Sequence, residues 1–253
     1  ALNGGAGEVS EETAALVRRA LDIASETDGA YDPTVYPLMR AWGFADGNYR
    51  VPSAAELETL LGKTGWERVS AAGMQVALPE GFALDLGGIG KGYAAARCKE
   101  LLKTRGVTSA LLSLGGNVSA LGSKPDGSAW TVAIEDPDGG WLGTVQIADQ
   151  CVVTSGGYQR YFEQDGVRYW HILDPETGKP ARSGMKSVTI VSADDTLADA
   201  LSTALFVMGP EKAADFWRAH RAEFSAVWLT DDGQLFATEG LTLATEREFE
   251  VVS

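Results

Sequence analysis

The run Phe82-Ala83-Leu84-Asp85-Leu86-Gly87-Gly88-Ile89-Gly90-Lys91-Gly92 decides how the rest of this chain is read. Its first part, residues 82–86, is an apolar-rich run that carries a strand signal. The strand empties into a glycine-rich turn, and the periodicity beyond it predicts a helix over residues 93–103. Strand, glycine turn and helix are the frame of two nucleotide-binding signatures, but the spacing is neither G-x-x-x-x-G-K-[ST] nor G-x-G-x-x-G. Main-chain N–H groups at such a turn suit an anion, and Lys91 adds a positive charge. A tight turn that needs positive φ accounts for the same glycines.

Working outward, the other elements mix without a regular βαβ alternation. A helix over residues 10–27 has Ser10 as its cap, Glu11 and Glu12 in its first turn and an apolar face of Leu16, Val17, Ala20, Leu21 and Ala24. Asp28-Gly29 stops it, and an aromatic-rich stretch follows through Tyr31, Tyr36, Trp42 and Phe44. Ser53 and Glu56 form a capping box for a short helix. Strands are expected at 74–78, 110–114, 130–134, 145–147, 152–154 and 187–191. Asp165-Gly166 signals a hairpin between 158–163 and 167–173. Helices are expected at 194–208 and 211–220, and a last hairpin joins 226–229 to 234–238. The fold class is α+β, with mixed or antiparallel sheets and flanking helices, and 253 residues suffice for one large domain or two lobes.

Composition narrows the function. A formal net charge of −14 repels a phosphate backbone and argues against nucleic-acid binding, while a small phosphate ligand stays open through a metal or a helix N-terminus. Two cysteines, Cys98 and Cys151, make no disulfide framework, though a single bridge stays open. No run is long enough to span a membrane. The chain starts at Ala1 and not at Met, which reads as a mature or trimmed form.

Four features carry chemistry. On the late helix Asp199 and Thr203 stand four apart, one turn from each other, with Ser202 beside them. A carboxylate and a hydroxyl at that spacing can hold a hard cation, Mg²⁺ rather than Ca²⁺ when phosphate and water complete the shell. An Asp near a helix start is also favoured by the dipole alone. His171, one of two histidines, ends a hairpin strand before the turn Asp174-Pro175-Glu176-Thr177-Gly178, a position suited to a general base or to a half-buried ring bonded to a carbonyl. Gly115-Gly116-Asn117 and Thr154-Ser155-Gly156-Gly157 close two strands in glycine, as a pocket floor or as ordinary turns. Ser155, His171 and Asp174 suggest a hydrolase triad, without a G-x-S-x-G elbow to support it.

Taken in order, Ala30-Tyr31-Asp32-Pro33-Thr34, Trp42-Gly43-Phe44, Asp85 to Gly92, Leu114 to Asn117, Thr154 to Gly157, His171 to Gly178 and Ala198-Asp199-Ala200-Leu201-Ser202-Thr203-Ala204 closely resemble the ApbE family of FAD:protein FMN transferases. The likeness is clearest between about Thr27 and Gly209. It implies a T-fold-like domain of two lobes covering residues 1–253, with the family's N-terminal strand and anchor region lying before Ala1. It implies a metal, Mg²⁺, held by Asp199, Thr203 and the carbonyl of Gly88, with Ser202 adjacent. FAD, the substrate, is implied to meet Ala30, Tyr31, Asp32, Asp85, Lys91 and Leu173, with Gly115, Gly116 and Asn117 beside the flavin. His171 is implied as the base that deprotonates an acceptor threonine. Ala96-Arg97 stands where many relatives carry Asp.

The reaction so implied splits the FAD diphosphate, leaves FMN as a phosphoester on a threonine of a target flavoprotein and releases AMP. Implied partners are flavoprotein subunits of membrane redox complexes with a threonine motif, and the implied location is extracytoplasmic, lipid-anchored to a bacterial cytoplasmic membrane. Hydrolysis of FAD to FMN and AMP, and FAD binding without turnover, are the competing readings.

Overall fold

The computed structural model describes residues 5–253. In chain order, β1 (Ala6–Glu8) leads into α1 (Glu11–Glu26), α2 (Tyr36–Ala41) and α3 (Ala54–Leu61). Next come β2 (Ser70–Ala72), β3 (Gln75–Ala77) and the long α4 (Gly87–Thr104). The middle of the chain forms β4 (Ala110–Leu114), β5 (Asn117–Leu121), β6 (Trp130–Glu135), β7 (Trp141–Ile147), β8 (Cys151–Gly156), β9 (Tyr161–Gln164) and β10 (Val167–Trp170). The last part holds β11 (Met185–Ser192), α5 (Asp195–Met208), α6 (Pro210–His220), β12 (Phe224–Thr230), β13 (Leu235–Thr238), β14 (Leu243–Ala244) and β15 (Glu250–Val252). The α+β class read from the sequence holds.

These elements form two compact units. The first runs to Gly88 and takes in Gly157–Arg182; the second is Ile89–Gly156 with Ser183–Ser253. In the first, α1 covers the small sheet β1-β3-β2, and Val17, Val69, Val76, Leu78 and Phe82 fill the space between. Ser10 caps α1 by accepting the Thr13 N–H, and Ser53 caps α3 by accepting the Glu56 N–H. A second core gathers Leu38, Trp42, Phe44, Leu57 and Leu173. Phe162 and Tyr169, facing partners across the β9–β10 hairpin, pack on it. Its turn is Asp165-Gly166, both at positive φ, as the sequence predicts.

In the second unit a seven-stranded sheet has the order β15-β13-β12-β11-β8-β5-β4, antiparallel except where β13 pairs β15. One face packs on the sheet β14-β7-β6 through Ile134, Leu142, Val145, Ile147, Val191, Val227 and Leu229. The helix α5 crosses the other face over β8 and β11. Strands enclosed on both faces read as continuous apolar runs, and β11 is buried along nearly its whole length. The sequence suggests one apolar stripe on α5, yet Asp195 to Ser202 and Ala204 to Phe206 are all buried.

The opening stretch departs from its reading. Residues 82–86 are not a strand. Phe82 turns into the core, and the Asp85 N–H donates to the Pro33 carbonyl (2.7 Å) and not to a strand partner. Asp85 Oδ1 accepts the Gly87 N–H at 2.7 Å, so the glycines are not a loop but the first turns of α4. What glycine supplies there is room. A Cβ on Gly92 would stand 2.1 Å from the Asp195 carbonyl oxygen and 2.8 Å from Asp199 Cβ, so α4 and α5 meet main chain to main chain at that residue. Cys98 is exposed, Cys151 is buried, and both are free thiols.

Candidate functional site

Asp199 is the centre of the second unit's polar cluster. Three donors converge on its carboxylate, which is 3% exposed. The Gly92 N–H reaches Oδ2 at 2.9 Å, Asn117 Nδ2 reaches Oδ1 at 2.9 Å, and Lys91 Nζ lies 3.2 Å from Oδ1. Asn117 is delivered by the β4–β5 hairpin, whose two-residue turn is Gly115-Gly116 with φ of +57° and +95°. Two consecutive positive φ values are the geometry that glycine makes cheap in a tight hairpin. The turn was legible; the strand β5 behind it was not, because Val118, Ser119, Ala120 and Leu121 carry no alternation.

One turn earlier on α5, Asp195 (3% exposed) binds Lys99 Nζ and the Ser119 hydroxyl. Lys91 and Lys99 lie eight apart on α4, and Asp195 and Asp199 lie four apart on α5, so the two helices are tied by two ion pairs. Neither Lys99 nor Asp195 stood out in the sequence, although the i, i+4 spacing from Asp199 was a usable signal. Ser202 is fully buried; its hydroxyl donates to the Asp199 carbonyl and shares a 2.8 Å hydrogen bond with Ser155. Thr203, half-buried, lies one turn beyond Asp199. Ser155 thus has its hydroxyl engaged with Ser202.

In the first unit Asp32 is buried, and its carboxylate accepts from the Thr34 N–H (2.7 Å), the Thr34 hydroxyl (2.6 Å) and the Trp66 N–H (3.3 Å). Burial pushes the Asp32 carboxyl above its ordinary range, against those donors, which pull it down. The Asp85–Pro33 hydrogen bond sets this loop beside the start of α4, so Ala30, Tyr31, Asp32 and Asp85 occupy one neighbourhood. Gly88 closes the unit in the first turn of α4.

His171 sits where β10 ends. Its N–H donates to the Arg160 carbonyl (3.1 Å), and its ring Nδ1 lies 3.2 Å from the same oxygen. A carbonyl only accepts, so in this contact Nδ1 is the donor. The ring meets Phe44 edge-on at 6.3 Å. Leu173 is a core side chain, bridged to Pro180.

The arrangement can bind a cation. Among the described residues no three His, Cys, Asp or Glu side chains gather as a metal cluster. A buried carboxylate with a neighbouring hydroxyl still fits a hard ion that takes one or two protein carboxylates and fills its shell from phosphate and water. Among the described residues no helix is long and apolar enough to cross a membrane.

A sequence model of the ApbE family matches residues 1–228. The FAD:protein FMN transferase of Escherichia coli (strain K12) is 35% identical over 241 residues, covering 91% of this chain and 68% of that protein. The FAD:protein FMN transferase of Treponema pallidum (strain Nichols) is 37% identical over 264 residues, covering 95% and 73%. The crystal structure of the ApbE protein from Thermotoga maritima superposes with a TM-score of 0.87 at 39% identity, over 92% of this chain and 78% of that one. The apo flavinyl transferase ApbE of Pseudomonas stutzeri gives 0.82 at 34% identity, over 97% and 76%.

Proposed function

The chain belongs to the ApbE family, and from that premise we propose that it moves the FMN half of FAD onto a threonine hydroxyl of an acceptor flavoprotein, with Mg²⁺ as its metal and AMP as the leaving group. It is an enzyme of the FAD:protein FMN transferase class, with FAD as donor and a flavoprotein as acceptor. The observation that carries the finer reading is the buried Asp199 carboxylate, with Lys91, Asn117 and the Gly92 N–H gathered on it.

In this reading Asp199, Thr203 and the Gly88 carbonyl hold the cation. Ser202 is adjacent, with its hydroxyl held by Ser155 and the Asp199 carbonyl. Bound there, Mg²⁺ supplies charge neutralisation for a diphosphate. Lys91 adds a second positive charge to the phosphates, and the family resemblance gives Ala30, Tyr31, Asp32, Asp85, Leu173 and the Gly115-Gly116-Asn117 turn as contacts of FAD. His171 Nε2 takes the proton of the acceptor threonine, whose oxygen attacks the FMN phosphorus. One P–O bond forms, the P–O bond to AMP breaks, and AMP carries the electron pair away. A general base of this kind contributes about 10²–10⁴-fold.

The test is mass spectrometry of a threonine-bearing acceptor after incubation with FAD and Mg²⁺. The expected result is one covalent FMN per acceptor, lost with Asp199→Asn and reduced at least about a hundredfold with His171→Gln. Free FMN with unmodified acceptor would instead assign hydrolysis, and tight FAD binding without AMP release would assign storage. The family resemblance also supports an extracytoplasmic, lipid-anchored enzyme acting on subunits of membrane redox complexes; fractionation of native cells tests this, and a cytosolic pool would refute it.

A further inference from the structure

The three donors on Asp199 differ in whether they can leave. Gly92 is buried in the contact between α4 and α5, and its N–H cannot withdraw without parting the helices. Asn117 is 4% exposed and fixed by the β4–β5 register. Lys91 is different: its side chain is 43% exposed, and its arm passes the Gly115 position with Cδ 3.5 Å from where a Cβ would be. The ammonium ends a flexible four-carbon stem, with solvent on one side.

The carboxylate also has little capacity to spare. Two oxygens offer about four acceptor directions. Oδ1 is used twice, by Asn117 and Lys91, and Oδ2 once, by Gly92. A divalent ion on this carboxylate either takes the direction Lys91 uses or sits at Oδ2 within a few ångströms of the ammonium. Like charges so close repel strongly where water is scarce.

We infer that Lys91 is an exchangeable counter-ion: it neutralises Asp199 while no divalent cation is bound and must withdraw for one to bind. This rests on the proposed metal role of Asp199 and goes beyond it by making Lys91 a competitor of the metal. It follows that the chain lowers its own cation affinity when no anionic ligand is present. A dinucleotide that draws Lys91 to its phosphates relieves the competition, and cation and ligand then bind with positive coupling.

The experiment is isothermal titration calorimetry of the nucleotide-free full chain with MgCl₂. Mn²⁺ binding followed by electron paramagnetic resonance is the second probe. Four proteins are compared: the parent, Lys91→Met, Lys91→Arg and Asp199→Asn. Lys91→Met should bind either ion about tenfold more tightly than the parent, from the removal of one nearby positive charge. Lys91→Arg, which keeps the charge, should stay near the parent. Mg²⁺ should also raise the melting temperature of Lys91→Met more than that of the parent. Binding by Lys91→Met that is no tighter than the parent, or not detectable with Mn²⁺, overturns the inference. Asp199→Asn separates the two layers of argument: loss of binding there keeps the metal reading even if the Lys91 result fails, whereas unaltered binding removes the metal from Asp199 altogether.

Discussion

Two ion pairs join the same two helices, α4 and α5, yet they have opposite physical characters. Lys99 and Asp195 are enclosed, with side chains 10% and 3% exposed, and Ser119 completes the carboxylate's hydrogen bonds. Lys91 and Asp199 share the enclosed acid but not the enclosed base, at 43% and 3%. A fully buried pair cannot open without leaving a charge unsolvated, so it behaves as a fixed joint. A pair with its base in solvent exchanges partners more easily, because water receives the departing ammonium while Asn117 and the Gly92 N–H still hold the acid. Identical residue types therefore yield a fastener in one place and a replaceable ligand eight residues away.

The largest expected effect comes from breaking the fastener. Lys99→Met strands Asp195 in the interior and should destabilise the protein by about 3–5 kcal/mol, read as a shift of the urea midpoint. Adding Asp195→Leu should recover most of that loss, since a buried ion pair replaced by apolar groups is often neutral. Failure of the second change to rescue would mean that Lys99 does more than answer Asp195.

Gly92→Ala comes next. The added methyl collides with the Asp195 carbonyl, so the helices must part, at a cost of about 1–3 kcal/mol. The same change should weaken the Gly92 N–H bond to Asp199 and lower flavin transfer beyond the loss of stability. A stable, fully active variant would show that the close approach is dispensable.

Lys91→Met is smaller still for folding, within about 1 kcal/mol, as expected for a half-exposed pair. A loss as large as that from Lys99→Met would erase the contrast between the two pairs.

Cys151 offers the finest readout. Burial, helped by the Asp195 carboxylate and opposed by Lys99, holds its thiol up at about 12. At pH 8 it is therefore almost wholly protonated, and an alkylating reagent should modify Cys98 at least about a hundredfold faster. Lys99→Met should speed the modification of Cys151 through local opening, while Lys91→Met should leave its rate unchanged.

Much of this was legible in the sequence, for reasons that can be named. Ser10, Ser53 and Asp194 announce helix starts because a side-chain oxygen can satisfy an orphan N–H, and each does so. Asp165-Gly166 announces a hairpin, and Gly115-Gly116 a turn, because few residues tolerate positive φ in succession. Asp199, Lys91 and Asn117 were each singled out, but not as partners of one another, since nothing local says that residues 82 and 108 positions apart will touch. The glycine run misled because glycine serves two ends: it permits unusual φ, the use assumed, and it permits close approach, the use found at Gly92. The short strands β1, β2, β14 and β15 were missed because two or three residues carry no period.

Gly92 has one further consequence. Each residue of an α-helix turns about 100° around the axis. A slip of α4 by a single position would carry the bare spot away from Asp195 and bring Lys91 or Tyr93 into a gap too narrow for any side chain. The missing methyl thus works as a keyway: it admits one rotational setting of the helix and refuses its neighbours. The orientation of Lys91 toward its acid is settled when the helices dock, before any ligand arrives.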